Sequence, residues 1–389
     1  MQKVHTRRRN TSALTWGSIL VGVFFLGALG YMQRDWVLHG RNDFVAFYTG
    51  AKLAGTSGLY DRAANLAVIR EALGVTLEGV TYIRPPFYAS LLKPLAYLPY
   101  MGAYTLYELA TFSCALWFIV YFSKECKELP VFAAMGLPIL VPLCNGQDTP
   151  FLLAAVGAVI LLLRKEKDFL AGLVLSFCAI KFHLFPFVVG LVLLKKRWRL
   201  LYGGAVGTAA LTTFGAIVAG PESLLQWIQV LRDPWITPGP EGLPNIHGLV
   251  LTFGGDVRVE FLLAAIVGVA FLWMTRQTEN FELLLAASLV CGLLTSFHSG
   301  TADDILLFPV FVLTLKAAAE PALRVVSAFL LMPIPYFFVF VGSPYSIVLP
   351  VALFAWMITA ALALRQKSAR SERHASELPP SAEYRADNA

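Results

Sequence analysis

FLLAAVGAVILLL, residues 151–163, is apolar at every position and shows no alternation. A membrane β-barrel is written in short alternating segments of about ten residues, so this run reads as a helix in lipid. The whole chain supports the reading. Its 389 residues are 57% hydrophobic and 14% charged, whereas a soluble protein carries roughly a quarter charged residues. Lipid rather than water covers most of the outside. The expected fold class is an all-α polytopic membrane protein.

Working outward from 151–163, apolar windows give twelve candidate spans: 13–31, 100–122, 130–144, 149–163, 168–181, 183–194, 199–219, 259–275, 281–297, 303–316, 322–341 and 346–364. The first follows a basic HTRRRN but lacks a small-residue cleavage site, and reads as a retained span rather than a signal peptide. Residues 168–194 are long enough for one helix. Their flanks RKEK and KKRWR are both basic, however, and a single crossing would put them on opposite sides, so a hairpin turning near Lys181-Phe182-His183 is expected.

Cytoplasmic segments of membrane proteins are rich in Lys and Arg. On the twelve-span count HTRRRN, KECKE (124–128), RKEKD (164–168), KKRWR (195–199), TRQTE (275–279), Lys316–Arg324 and RQKSARSER fall on one face. The expected organisation is a cytoplasmic N-terminus (1–12), a transmembrane domain (13–366) and a disordered cytoplasmic tail (367–389). Large extracytoplasmic loops occupy 32–99 and 220–258. The expected location is the plasma (cell inner) membrane. The net charge of +6 resides in the topology clusters, so nucleic acid is not expected as a partner. The five cysteines are scattered without a CxxC pair, which points to neither a disulfide framework nor a zinc site.

The unusual polar residues gather on the other face. In RNDFVAFYTGAKLAGTSGLYD (41–61) Asp43 precedes two short helical patterns, 44–54 and 62–73, that suit helices lying at the membrane interface with Trp36, Tyr48 and Tyr60 at headgroup depth. The plain alternative is that Asp43 caps a helix. Arg84 stands before Pro85-Pro86, which impose an extended entry to the next helix; an outer-side arginine runs against the charge rule. Asn145-Gly146-Gln147-Asp148 is a turn that also suits a helix cap. Lys181 and His183 sit at the hairpin tip, where a cation needs a partner, and phosphate is a fitting one. Ser296–Asp304 holds His298, Asp303 and Asp304; its spacing is no dependable metal pattern, and no metal or other cofactor is expected.

Together, DFVAFYTGAKLAGTSGLYD (43–61), IRPPFYASLLKPLAYLP (83–99), NGQDTPFLLAAVGAVILL (145–162), AGLVLSFCAIKFHLFPFVVGLVLLKKRWR (171–199), NIHGL (245–249) and SFHSGTADDILLFP (296–309) resemble glycosyltransferase family 87 of the GT-C superfamily. The better-known members of that family transfer α-mannose from polyprenyl-phosphate-mannose. The resemblance implies a GT-C-like fold with a catalytic acid in the first outer loop, which falls on Asp43, and a later histidine, similar to His298, facing the donor phosphate. The family's Lys-x-x-Pro is replaced here by KFHLFP, which inserts His183. NIHGL departs from the commoner Asn-x-Ser form, leaving Asn245 a minor candidate.

Topology argues in the same direction. Nucleotide sugars are cytoplasmic, so a site on the far face needs a donor that crosses in the bilayer, as a polyprenyl-phosphate sugar does. Transfer to a hydroxyl needs a base, worth about 10²–10⁴ in rate, and charge compensation for the departing phosphate. The expected enzyme is an inverting hexosyltransferase acting on a lipid or glycan acceptor. Asp43 is its base; Arg84, Lys181 and His298 steady the phosphate; Gln147, Asp148, His183 and Asp304 are further candidates for substrate binding. A covalent, retaining route would recruit a second acid from Asp148, Asp303 or Asp304. The alternative class is a transporter or lipid flippase, which would place charges near the midplane and show symmetry between halves. A catalytically inactive assembly scaffold is the third.

Overall fold

The computed structural model describes residues 20, 23–24, 27–28, 30–233, 243–317 and 320–377, with side chains as far as 366. The N-terminal segment 1–12, most of the expected span 13–31, and the tail beyond 377 lie outside the described residues. Among those described, every regular element is helical and there is no strand.

Four helices are long and apolar enough to cross a membrane: Tyr100–Phe122, Trp198–Ala219, Val257–Gln277 and Tyr345–Gln366. Pro321–Phe329 and Pro333–Val341, bent by 46°, make a fifth if they act as one span. The sequence pattern predicts more. The difference is one of length, because a bilayer core about 30 Å thick takes about 20 helical residues. Thr149–Arg164 and Phe281–Thr295 are apolar but shorter. Phe281–Thr295 is buried along nearly its whole length, so its hydrophobicity records contact with protein. The stretch 130–144 is two short helices, Leu129–Met135 and Leu137–Cys144, parted at Gly136. The last helix runs from Val348 to Glu377, past the end of its apolar pattern. The added residues, QKSARSERHASE, hold good helix formers and no proline.

The expected hairpin in 168–194 is present as Asp168–Leu175, a tight turn of helix Ser176–Leu184, and Pro186–Leu194. The helical path breaks at Lys181, where φ is −124° and ψ 58°. The first arm lies directly against Trp198–Ala219. A Cβ on Gly203 would sit 2.0 Å from the Phe169 carbonyl, and one on Gly172 would sit 2.1 Å from that of Leu200. Small residues that let backbones touch are a principal means of helix association in lipid, where apolar burial gives no net drive.

Both helices expected in the first loop form, as Phe44–Leu53 and Arg62–Leu73. The former is not a surface helix, for eight of its ten residues are buried. Phe44 packs among Tyr48, Tyr100, Tyr104 and Tyr107 at centroid separations of 4.7–6.2 Å. Tyr48, expected at headgroup depth, is buried and donates to the Leu98 carbonyl at 3.0 Å. The cause is that aromatic side chains surround this helix on most sides, so it has no polar face to turn to water.

Adding a methyl group at the Gly203 contact leaves no low-strain rotamer to escape into, since the obstacle is backbone. Gly203→Ala is expected to cost about 1–3 kcal/mol. The check is thermal unfolding of the purified protein in detergent; an unchanged midpoint would contradict the close packing described here.

Candidate functional site

Asp43 precedes the Phe44–Leu53 helix with αR backbone angles and makes no side-chain capping bond. The neighbouring Asn42 satisfies this end instead: its Oδ1 accepts from the Phe44 amide at 3.3 Å, and its Nδ2 donates to the Cys144 carbonyl at 3.0 Å and to Tyr104 at 3.2 Å. The Asp43 amide donates to the Asn145 carbonyl at 3.0 Å. These bonds bring the 41–44 segment against the 144–148 turn. Gly146 sits in that turn with φ +61°, and a Cβ there would lie 2.5 Å from the Asn42 Oδ1, so only glycine allows the approach. The carboxylate of Asp43 is left for other work, whereas Asp61 does cap its helix, accepting from the Ala64 amide at 2.8 Å.

Arg84 is fixed from both sides of its backbone. Tyr60 donates to its carbonyl at 2.8 Å, Trp227 donates to the Ile83 carbonyl at 3.0 Å, and Tyr82 donates to the Pro85 carbonyl at 2.8 Å. Pro85 is extended and Pro86 opens the helix Pro86–Leu92, as the diproline predicts. The guanidinium passes 5.6 Å from the Phe47 ring centre and grips Asp148, Nε to Oδ2 at 2.6 Å and Nη2 to Oδ1 at 3.3 Å.

The break at Lys181 turns its ammonium into the same place. Nζ donates to Asp303 at 2.6 Å and to the Gln147 Oε1 at 3.3 Å, and lies 3.4 Å from Asp148. Gln147 then donates through Nε2 to Asp43. The second oxygen of Asp303 accepts from the Gly300 amide at 3.0 Å. One continuous chain thus runs from Asp43 through Gln147 and Lys181 to Asp303, with Asp148 joining Lys181 to Arg84. His183 approaches Ser296 at 2.6 Å and faces the ring of His298 at 6.0 Å between centres.

Asp43, Arg84, Gln147, Lys181, His183 and His298 all line one cavity of about 530 Å³. Two other sequence candidates do not. Asp148 and Asp304 are fully buried; Asp148 lies behind the wall as the counter-ion of both cations, and the carboxyl group of Asp304 makes no hydrogen bond. Of the adjacent pair it is Asp303 that reaches the cavity. The member expected from the sequence to bind substrate is Asp304, and the one that lines the cavity is Asp303. Asn245 is buried and clamps the 296–299 loop, donating to the Ser296 and Ser299 carbonyls at 2.8 and 3.0 Å. Tyr60 and Tyr82 also line the cavity, positions that aromatic composition alone does not single out. Among the described residues no group of three or more His, Cys, Asp or Glu is placed to hold a metal ion.

Burial raises the proton affinity of Asp43 above the usual carboxylate range, and Asp148 adds to this; Arg84, Lys181 and the Gln147 amide only partly oppose it. Asp148 behaves oppositely. Burial pushes it up, but Arg84 and Lys181 prevail and hold it below its ordinary value. For His298, burial, Arg84 and His247 act together to lower the pKa against the pull of Asp303, which leaves a neutral imidazole at pH 7.

Among the described residues, an all-helical body with helices long and apolar enough to cross a membrane, enclosing a polar cavity of carboxylates and paired cations, is that of a membrane protein. The family model of glycosyltransferase family 87 matches residues 82–299, more than half of the chain. The chain belongs to that family and is a membrane glycosyltransferase. The matched span includes Arg84, Gln147, Asp148, Lys181, His183 and His298, while Asp43 precedes it and Asp303 follows it. No curated protein and no solved structure matches the chain.

Removing one member of a buried ion pair strands the other charge. Asp148→Asn is expected to cost about 3–5 kcal/mol, and the double change Arg84→Met with Asp148→Leu to recover much of that. Unfolding midpoints of the wild type and the two variants in detergent check it, and a double variant less stable than Asp148→Asn would contradict this account.

Proposed function

We propose that this glycosyltransferase moves a hexosyl group, mannose in the first instance, from a polyprenyl-phosphate carrier to a hydroxyl of a lipid or glycan acceptor, with inversion at the anomeric carbon. The reaction takes place on the extracytoplasmic face of the plasma membrane, within a twelve-span body whose termini are cytoplasmic. No metal or cofactor enters the proposal. The observation that carries it is the state of Asp43. Its carboxylate caps no helix, makes no ion pair among the described residues, receives the Gln147 amide, and faces the cavity across from Arg84 and Lys181.

In this reading Asp43 takes the proton of the acceptor hydroxyl as the new C–O bond forms, and the phosphate leaves with the electron pair of the old one. A phosphate ester is a weak base, so its departure needs charge compensation rather than a proton. Arg84 has five N–H donors and gives two of its nitrogens to Asp148, which leaves hydrogen-bonding capacity for the donor. Lys181 is already engaged with Asp303 and Gln147 and acts mainly by holding those groups in place. His298, neutral, serves as a hydrogen-bond donor. The raised proton affinity of Asp43 makes it a better base near neutral pH than an ordinary carboxylate.

Two measurements test this. In membranes supplied with radiolabelled polyprenyl-phosphate sugars and a lipid extract, Asp43→Asn is expected to lower transfer by about 10²–10⁴. A base acts only when ionised, so in the wild type a raised pKa means that activity is lost on acidification at a pH above the usual carboxylate range. Undiminished transfer by the variant, or an acid limb at or below that range, removes Asp43 as the base. For sidedness, Asp43→Cys in a background without the five native cysteines should react with an impermeant thiol reagent added outside intact cells. Protection there, with labelling after permeabilisation, reverses the orientation.

A further inference from the structure

At the end of the bundle away from the cavity lies a crevice of about 170 Å³. Gln147 lines the cavity just before the helix Thr149–Arg164, and Arg164 lines the crevice at the other end of that helix, about 24 Å along its axis. We infer that the crevice seats an anionic phospholipid, with the phosphate against Arg197 and Asn280 and the first methylenes against its floor.

That floor is aliphatic, made by Ile160, Leu163, Leu285 and Leu313. Arg197 stands at the rim, its guanidinium 4.5 Å from the Phe281 ring centre and its Nε 3.0 Å from Asp168. An ion pair drawn through Nε leaves the two Nη groups for a second anion, and the planar fork suits phosphate. Asn280 caps the helix Phe281–Thr295, its Oδ1 accepting from the Leu283 amide at 3.1 Å. The cap fixes the side chain and leaves Nδ2 to donate. Glu282, the acid among the described lining residues, is held by Arg164 at 2.6 and 3.2 Å. Arg164 also gives Nη1 to Glu125 at 2.9 Å, so it builds the wall and keeps Glu282 from opposing an anion.

Depth and charge select the ligand. Trp198, next to Arg197, is 51% exposed, and Phe169 and Leu194 are exposed beside it in the chain's neighbouring elements. A tryptophan at the end of an apolar helix marks headgroup depth. The loops RKEKD (164–168) and KKRWR (195–199) carry seven basic and two acidic residues. The acids that pair with them from elsewhere, Glu125, Glu279 and Glu282, do not reverse that surplus. A zwitterionic headgroup would bring its own ammonium into the same surplus. A nucleotide needs more room, since sites for such ligands commonly hold about 300–1,000 Å³. A free phosphate would make no use of four aliphatic side chains, whereas lipid methylenes match them.

Native mass spectrometry of the purified full chain, incubated with equal amounts of phosphatidylglycerol and phosphatidylcholine of the same chain length, tests this. The expected result is one phosphatidylglycerol retained in preference to phosphatidylcholine. Retention should fall by at least about fivefold in Arg197→Gln, which removes the phosphate fork, and likewise in Leu163→Trp, which fills the crevice. Lys165→Gln/Lys196→Gln takes more charge from the same loops but none from the lining, and should retain the lipid. Unfolding midpoints matching the wild type establish that the variants are folded. Equal retention of both lipids by the wild type, retention unchanged in both crevice variants, or a loss in the lysine variant as large as in Arg197→Gln would overturn the inference. So would a midpoint raised by inorganic phosphate through Arg197 in a protein that phosphatidylglycerol does not stabilise, which assigns the crevice to a free anion.

Discussion

The buried ion network of Arg84, Asp148, Lys181 and Asp303 is the constraint from which the rest of the site follows. Its members come from four segments far apart in the chain: the diproline entry, the start of Thr149–Arg164, the hairpin break, and the turn before Leu307–Ala317. Charges removed from water are tolerated only with good geometry and full pairing, so each segment must arrive at one position and no other. Local features make that possible. Pro85 fixes the approach of Arg84, the broken helix at Lys181 redirects its side chain, and the positive φ of Gly146 lets the 144–148 turn press against Asn42.

Asp43 belongs to this network without being neutralised by it. Direct contact with Lys181 would make an ion pair, lower its proton affinity and take away its basicity. Gln147 stands between them. Its carbonyl oxygen accepts from Lys181 and its amide donates to Asp43, which also fixes the orientation of the side-chain amide. The interposed neutral group transmits position while diluting charge, so that the effect of burial on Asp43 prevails. The same logic explains why Asp148, touching both cations, goes the other way.

Much of this was legible in the residues. Apolar runs located the helices, the diproline and the basic flanks of 168–194 located the bend and the hairpin, and six of the eight named site residues share one cavity. What failed to read was phase and depth. One position along a helix turns a side chain by about 100°, and boundaries read from sequence are uncertain by more than that. Gln147 and Asp148, or Asp303 and Asp304, were therefore not separable into a cavity-facing and a buried member. Depth failed because hydropathy scores lipid and protein interiors alike. Phe281–Thr295 and Phe44–Leu53 are apolar because neighbouring helices and aromatic rings enclose them, and nothing in their composition distinguishes that from exposure to lipid.

Charge around the cavity bears on how the proposed reaction is ordered. Among the described residues, Arg62, Arg84 and Lys181 share the cavity lining with Asp43, Asp233 and Asp303, with Asp148 behind the wall, so basic side chains do not outnumber acidic ones. Such a cavity does not gather anions by long-range attraction. A phosphate must instead be held by directional hydrogen bonds, and a carrier already confined to the bilayer needs no steering from water. Once seated, that phosphate adds a negative charge near Asp43 and raises its proton affinity further. The base is then strongest when the donor is in place and weaker in its absence, which favours deprotonation of the acceptor at the moment when an electrophilic sugar is present to receive it.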